Sequence, residues 1–201
     1  MTKYIAIPVF AYLLGSIPWG LILTRLFTPV DIRRTGSGNI GATNVAREAG
    51  IKLGIITLAG DILKGAVPVA LAASIASANN AWSALFVAFV SLAAFTGHLF
   101  PVYMKFKNGG KGVATAAGCF IVISPVATVI SILVFIMMVC WTNRVSLASL
   151  AASAVLPVAV WEATHSKIMT GCAVIVTIFI YFRHGDNIKR LLSGTEPAIW
   201  K

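Results

Sequence analysis

Long apolar runs separated by short clusters of cations constrain this chain more than any other feature. Runs at about 4–24, 53–77, 82–100, 145–161 and 168–183 approach or reach the length of a membrane span, which takes about 20 mostly apolar residues. The stretch from about 113 to 141 is also apolar but too long for one upright helix, and it contains Ser124-Pro125. Proline lacks a backbone donor and drives the residue before it away from helical geometry. The stretch therefore divides into a short helix over about 113–123 and a longer one over about 125–141. The predicted fold is all-α: a polytopic transmembrane helical bundle of about seven helical segments. A segment of a dozen residues is short for a crossing, so five full spans plus interfacial helices is the alternative topology.

Composition excludes a soluble globule. Of the 201 residues, 58% are hydrophobic and 11% are charged, against about 25% charged in soluble domains. The cations set the orientation, because Lys and Arg favour the cytoplasmic side. Arg25, Arg33, Arg34, Arg47 and Lys52 mark the first long loop as inside, Lys105, Lys107 and Lys111 a second, and Arg183, Lys189, Arg190 and Lys201 the tail. The loops near Asn79-Asn80 and His165-Ser166-Lys167 are poor in cations and are expected outside. Only two helices within 113–141 put every basic loop on one side, with the N-terminus out and the C-terminus in. The first apolar run has no clear cleavage site and is read as a retained helix. Residues 1–201 form a single membrane-integral domain in this reading.

The formal net charge of +10 sits between apolar runs. Anionic headgroups and small phosphorylated substrates are the partners it fits; nucleic acid is not, and no obligate protein partner is implied. Cys119, Cys140 and Cys172 lie singly in apolar runs without CxxC spacing, so no metal site or disulfide framework is expected.

Three polar segments carry the chemistry. The first is Asp31-Ile-Arg-Arg-Thr-Gly-Ser-Gly-Asn-Ile-Gly-Ala-Thr-Asn-Val-Ala-Arg47. Its glycines, Gly36, Gly38 and Gly41, allow consecutive N–H groups to turn toward one anion. Ser37, Asn39, Thr43 and Asn44 add neutral donors, and Arg33, Arg34 and Arg47 add charge that can grip phosphate. Thr43-Asn44 also suits the start of a short helix. The second segment runs from His98 to Thr115 and places Lys111 among Gly109, Gly110 and Gly112, directly before an apolar helix. Backbone donors and a cation at a helix N-terminus again favour an anion. The GxxxxGK[ST] spacing is absent, so nucleotide hydrolysis is not supported. The third segment, Arg183 to Glu196, offers His184 as a base or phosphate donor and Asn187 to orient a substrate. Glu196 is expected to pair with a loop arginine and brace the site. Asp61 and Lys64, one turn apart within an apolar run, read equally well as a functional pair or as a structural one. His98 is expected to be structural or supporting. A transporter of a phosphorylated solute is the competing class, with no repeat to support it.

Together these segments resemble the bacterial acyl-phosphate-dependent glycerol-3-phosphate acyltransferases. The resemblance rests on Gly15-Ser-Ile-Pro-Trp-Gly20, Arg33 to Asn44 with Arg47, Asp61-Ile-Leu-Lys-Gly65, Gly97-His-Leu-Phe-Pro101, Gly109-Gly-Lys-Gly-Val-Ala-Thr115 and His184 through Glu196. It implies acyl phosphate and glycerol 3-phosphate as substrates, and lysophosphatidic acid and phosphate as products. No cofactor, acyl-CoA or acyl carrier protein is implied. It further implies catalytic roles for Ser37, Arg47, His184 and Asn187. Gly36, Gly38, Asn39, Thr43, Asn44, Lys64, Gly109, Gly110, Lys111, Gly112 and Thr115 would bind substrate, with the motif from Gly109 to Thr115 the part linked to glycerol 3-phosphate in that family, and Glu196 and Asp61 would be structural. Ser37 is either a phosphate ligand or a nucleophile, and the base is either His184 or a substrate phosphate. The expected location is the bacterial inner membrane, with the active site facing the cytoplasm.

Overall fold

A computed structural model describes residues 2–76 and 80–199; Asn79 and Lys201, used above to orient a loop and the tail, lie outside the described residues. Every regular element among the described residues is helical. In order they are α1 (Thr2–Gly15), α2 (Trp19–Phe27), α3 (Ala42–Ala49), α4 (Ile51–Ile75), α5 (Ala81–Leu99), a 3-10 turn (Val102–Met104), α6 (Val113–Ile123), α7 (Pro125–Thr142), α8 (Val145–Thr164), α9 (Lys167–Arg183) and α10 (Gly185–Leu192). Four helical stretches are long and apolar enough to cross a bilayer, and six if each of two bent pairs counts as one span. The chain is thus a multi-pass membrane protein, and the seven apolar segments expected from the sequence are all present.

The division at Ser124-Pro125 falls where proline chemistry places it. α6 ends at Ile123, Pro125 occupies the first turn of α7, and the Ser124 hydroxyl accepts from Ala127 N at 3.4 Å. The first segment differs from expectation: α1 and α2 meet at a 42° bend. Pro18 cannot donate to the preceding turn, and Gly15 and Gly20 flank it. A similar bend of 61° separates α9 from α10.

The chain forms two compact units, Met1–Val122 and Ile123–Lys201. In the first, glycines bring helix backbones into contact. A Cβ on Gly15 would lie 2.1 Å from the Ala94 carbonyl oxygen, and one on Gly97 would lie 2.4 Å from that of Tyr12. These seal α1 against α5. Gly65 and Gly118 do the same for α4 and α6. Small residues at seams are how helices associate in lipid, where no hydrophobic force draws them together. In the second unit, α8 packs between α7 and α9. Ala148, Ala152, Leu156 and Val160 are buried there, and the Thr177 hydroxyl donates to the Ser153 carbonyl at 2.7 Å. α7 leaves Val126, Val129, Leu133, Ile136 and Met137 exposed, an apolar surface that calls for lipid.

Candidate active site

The first polar segment is a folded loop rather than a linker. Leu21, Ile32, Ile40 and Val45 form a buried apolar knot beneath it, joined by Ala49, Leu53 and Met104. Met104 belongs to the connection between α5 and α6, so the knot brings the first and second polar segments together within one unit.

Asn44 organises this loop. Its Oδ1 accepts from Ser37 N at 2.9 Å. Its Nδ2 donates toward the carbonyls of Asn39 at 2.9 Å and of Ile32 and Thr35 at 3.2 Å. The side chain is 4% exposed. Gly36, at φ +55°, passes so close that a Cβ there would sit 2.3 Å from Asn44 Oδ1. Gly38 N donates to the Thr35 carbonyl, and Gly41 N to Asn39 Oδ1. The expected open row of N–H groups is therefore corrected at three places: Ser37, Gly38 and Gly41 direct theirs into the loop. The physical reason is that a folded loop must satisfy its own backbone. Ser37, Thr43 and Arg47 are exposed on it. Arg33 is held by both oxygens of Asp31, at 3.0 and 2.9 Å. That guanidinium keeps the Asp31 carboxyl down at about 2. Much of Arg33's charge is thereby spent within the loop.

The second segment folds back on the end of α5. Gly110 N donates to the His98 carbonyl at 3.1 Å, and Gly109 lies against the Leu99 carbonyl. Gly112, at φ +87°, faces the Phe95 ring, where a Cβ would lie 2.3 Å from a ring carbon. Lys111 is half-buried beside α6. Thr115 is fully buried in the first turn of α6, and its hydroxyl meets no partner among the described residues.

Asp61 and Lys64 form a buried ion pair at 2.9 Å. The Lys64 ammonium also donates to the Ile17 carbonyl at 2.9 Å, at the bend between α1 and α2. Lys64, expected among the substrate ligands, thus gives two of its donors to protein acceptors and is 2% exposed.

In the second unit, the residues after α10 fold back as a strap. Glu196 accepts from Asn187 Nδ2 at 2.6 Å and from Arg190 Nε at 2.7 Å. The Arg144 guanidinium donates to its carbonyl, and Ile199 N donates to the Asn143 carbonyl and side chain. His184 is 2% exposed, with Nδ1 2.8 Å from the Ile180 carbonyl oxygen. Asn187 therefore holds the strap, and His184 Nδ1 is committed to its own helix. Arg144 was not singled out from the sequence; its signal was a cation in a two-residue turn between apolar runs.

Burial pushes the Glu196 carboxyl up, but Ser146, Asn187 and Arg190 beside it outweigh that and hold it below the ordinary value of 4.5. A lowered folded value means that the strap is stabilised while Glu196 is ionised. This stabilisation is complete above the ordinary value and is lost as pH falls through the folded one. Thermal unfolding between pH 7 and pH 3 should show an acid-sensitive component that Glu196→Gln removes. An unchanged acid profile in that variant would exclude Glu196 as its source.

Comparison with known proteins places this geometry in a family. The family profile described as glycerol-3-phosphate acyltransferase matches residues 5–194. The chain is 47% identical over 196 residues to a glycerol-3-phosphate acyltransferase of Syntrophotalea carbinolica, covering 98% of this chain and 97% of the relative. It is 44% identical to one of Geobacter sulfurreducens, with the same coverage of both. A crystal structure of PlsY (YgiH), an integral membrane glycerol 3-phosphate acyltransferase in its glycerol 3-phosphate form, superposes with a TM-score of 0.91 at 37% identity. That match covers 98% of this chain and 96% of the other. The lysophosphatidic acid form of that protein gives 0.88, covering 98% and 95%. The chain belongs to the glycerol-3-phosphate acyltransferase family.

Proposed function

We propose that residues 1–201 act as one acyltransferase domain that transfers a fatty acyl group from acyl phosphate to the 1-hydroxyl of glycerol 3-phosphate. The hydroxyl oxygen bonds to the acyl carbon, the bond from that carbon to the phosphate oxygen breaks, and lysophosphatidic acid and phosphate leave. The hydroxyl proton passes to a base, either His184 or a substrate phosphate. The observation that carries this reading is the apolar knot beneath the first loop, against which Met104 of the α5–α6 connection packs, so that two glycine-rich, cationic segments meet within one unit. Both substrates bear phosphate, and each loop offers cations and small-residue turns suited to an oxyanion. Ser37, Asn39 and Arg47 serve the first loop in this role, and Lys111 and Thr115 the second. His184 and Asn187 are the activity-bearing residues of the second unit. Acyl phosphate is already activated, so positioning and charge stabilisation carry the step.

The protein resides in the bacterial inner membrane with these loops on the cytoplasmic side, a placement supported by exposed Arg33, Arg34, Lys105 and Lys107, since cations favour that side. A cysteine introduced at Ser37 should react with an impermeant thiol reagent only from that side; labelling from the periplasm would overturn the orientation.

Purified protein given labelled glycerol 3-phosphate and acyl phosphate should form lysophosphatidic acid without nucleotide or thioester. Ser37→Ala and Arg47→Ala should each lower the rate by roughly 100-fold. Incubation with acyl phosphate alone should leave no acyl group on the protein. Binding of both substrates without product would favour transport or sensing, and a trapped acyl-Ser37 would replace direct attack by a covalent route.

A further inference from the structure

Asp61, Lys64 and His98 stand at 3%, 2% and 4% exposure in the first unit. Ionisable groups this fully buried among membrane helices are costly to keep and usually tied to function. Asp61 and Lys64 would neutralise each other without help. His98 is nevertheless present on α5, with Nδ1 3.6 Å from the same Asp61 oxygen that Lys64 holds.

The contacts on either side give the trio a direction. On one side, Lys64 holds the Ile17 carbonyl where α1 turns into α2. Three residues on, Gly20 lies so close to the first polar loop that a Cβ would sit 2.0 Å from the Ile40 carbonyl oxygen. On the other side, His98 holds Gly110 twice. Its carbonyl accepts the Gly110 N–H at 3.1 Å. Its ring lies so close that a Cβ on Gly110 would be 1.9 Å from Nε2. Lys111 follows directly. One buried charge cluster thus stands behind both substrate loops.

We propose that Asp61, Lys64 and His98 form a single positioning unit. It fixes the imidazole against Gly110, and through it holds the Gly109–Gly112 turn in the shape that receives the phosphate of glycerol 3-phosphate. This rests on the acyltransferase reading above. Asp61 backs the Nδ1 end of the His98 ring from 3.6 Å, Lys64 balances the Asp61 charge and anchors the cluster to the α1–α2 bend, and the Nε2 end of the ring limits where the glycine turn can lie. None of the three touches substrate. Their effect is carried by backbone position, where displacement by a fraction of an ångström weakens an oxyanion contact.

The test is a two-substrate kinetic analysis of full-length His98→Asn and Asp61→Asn in lipid nanodiscs, with His165→Gln as control. The KM for glycerol 3-phosphate should rise about 10- to 100-fold, while the KM for acyl phosphate and the kcat at saturation change by less than about threefold. Asp61→Asn combined with His98→Asn should be no worse than the more severe single variant, since both act through one contact. Equal increases in both KM values, a fall in kcat alone, or unchanged constants would each overturn the proposal. If neither variant can be purified folded, 15N-histidine spectra of the wild-type protein decide. The His98 ring signal, assigned by substituting His165 and His184 in turn, should shift on adding glycerol 3-phosphate, and an unmoved signal overturns the unit. Wild-type protein that forms no lysophosphatidic acid would instead remove the acyltransferase reading, so the two failures are distinct.

Discussion

Asn44→Ala should abolish most of the turnover while leaving the helices standing. The Asn44 amide makes four contacts to the backbone of the loop that carries Ser37. Each buried hydrogen bond contributes about 1 kcal/mol net, so the loop loses on the order of 3 kcal/mol of local order. Ser37 is then held by Gly36 and Gly38 alone, two residues with the widest conformational range. A misplaced ligand can cost about 100-fold in rate, and we expect at least that. Asn44→Asp should fail as well. It keeps the acceptor for Ser37 N but turns three carbonyl contacts into repulsions. Limited trypsinolysis supplies a readout independent of activity, since exposed Arg33 and Arg34 lie in the same loop. Cleavage there should accelerate in both variants. An Asn44→Ala protein with a raised KM but wild-type resistance to trypsin would mean that Asn44 binds substrate directly and does not organise the loop.

Gly118→Val should be the most damaging single change in the membrane-embedded helices. A Cβ at 118 would lie 2.0 Å from the Ile62 carbonyl oxygen, and a Cβ at Gly65 would lie 2.2 Å from that of Thr115. The two glycines interlock α4 and α6 from opposite sides. The obstacle in each case is backbone, which no rotamer change relieves. Overpacking a tight site costs about 1–3 kcal/mol when side chains can adjust; here the helices themselves must part. We expect the Tm to fall by about 10 °C, with activity lost in parallel because Thr115 moves with α6. Gly171→Ala is the matching control. Nothing lies within 4 Å of the added carbon, so its Tm should hold or rise slightly. A Gly118→Val protein as heat-resistant as wild type would show that the seam is not tight in the bilayer.

Much of this architecture is legible in the amino-acid sequence. Apolar runs the length of a bilayer declare themselves, and Ser124-Pro125 marks a helix boundary that the structure places at Ile123 and Pro125. The bend at Pro18 was not legible, because the local signal is ambiguous. Pro8, Pro68 and Pro157 lie inside unbroken helices. Whether a proline interrupts a helix depends on what satisfies the freed carbonyls, and at Ile17 that partner is a lysine 47 residues away. The same limit hid the role of Asn44. An asparagine among glycines reads as a donor to a ligand, and only the folded loop shows it turned inward. Arg144 and Glu196 lie 52 residues apart, so neither announces the other. Charges, caps and span lengths are local properties; a buried polar group's choice of partner is not.

The one-turn spacing of Asp61 and Lys64 also bears on how the chain enters the bilayer as it is made. Both sit near the middle of a 25-residue helix, and a lone Asp or Lys at that depth opposes release from the translocon by about 2.5–3.5 kcal/mol. Because they lie on the same helix, they can neutralise each other as soon as that segment is synthesised, before α5 or its histidine has emerged. α4 can therefore partition into lipid on its own hydrophobicity, carrying a cancelled pair of charges that only later acquires its neighbours.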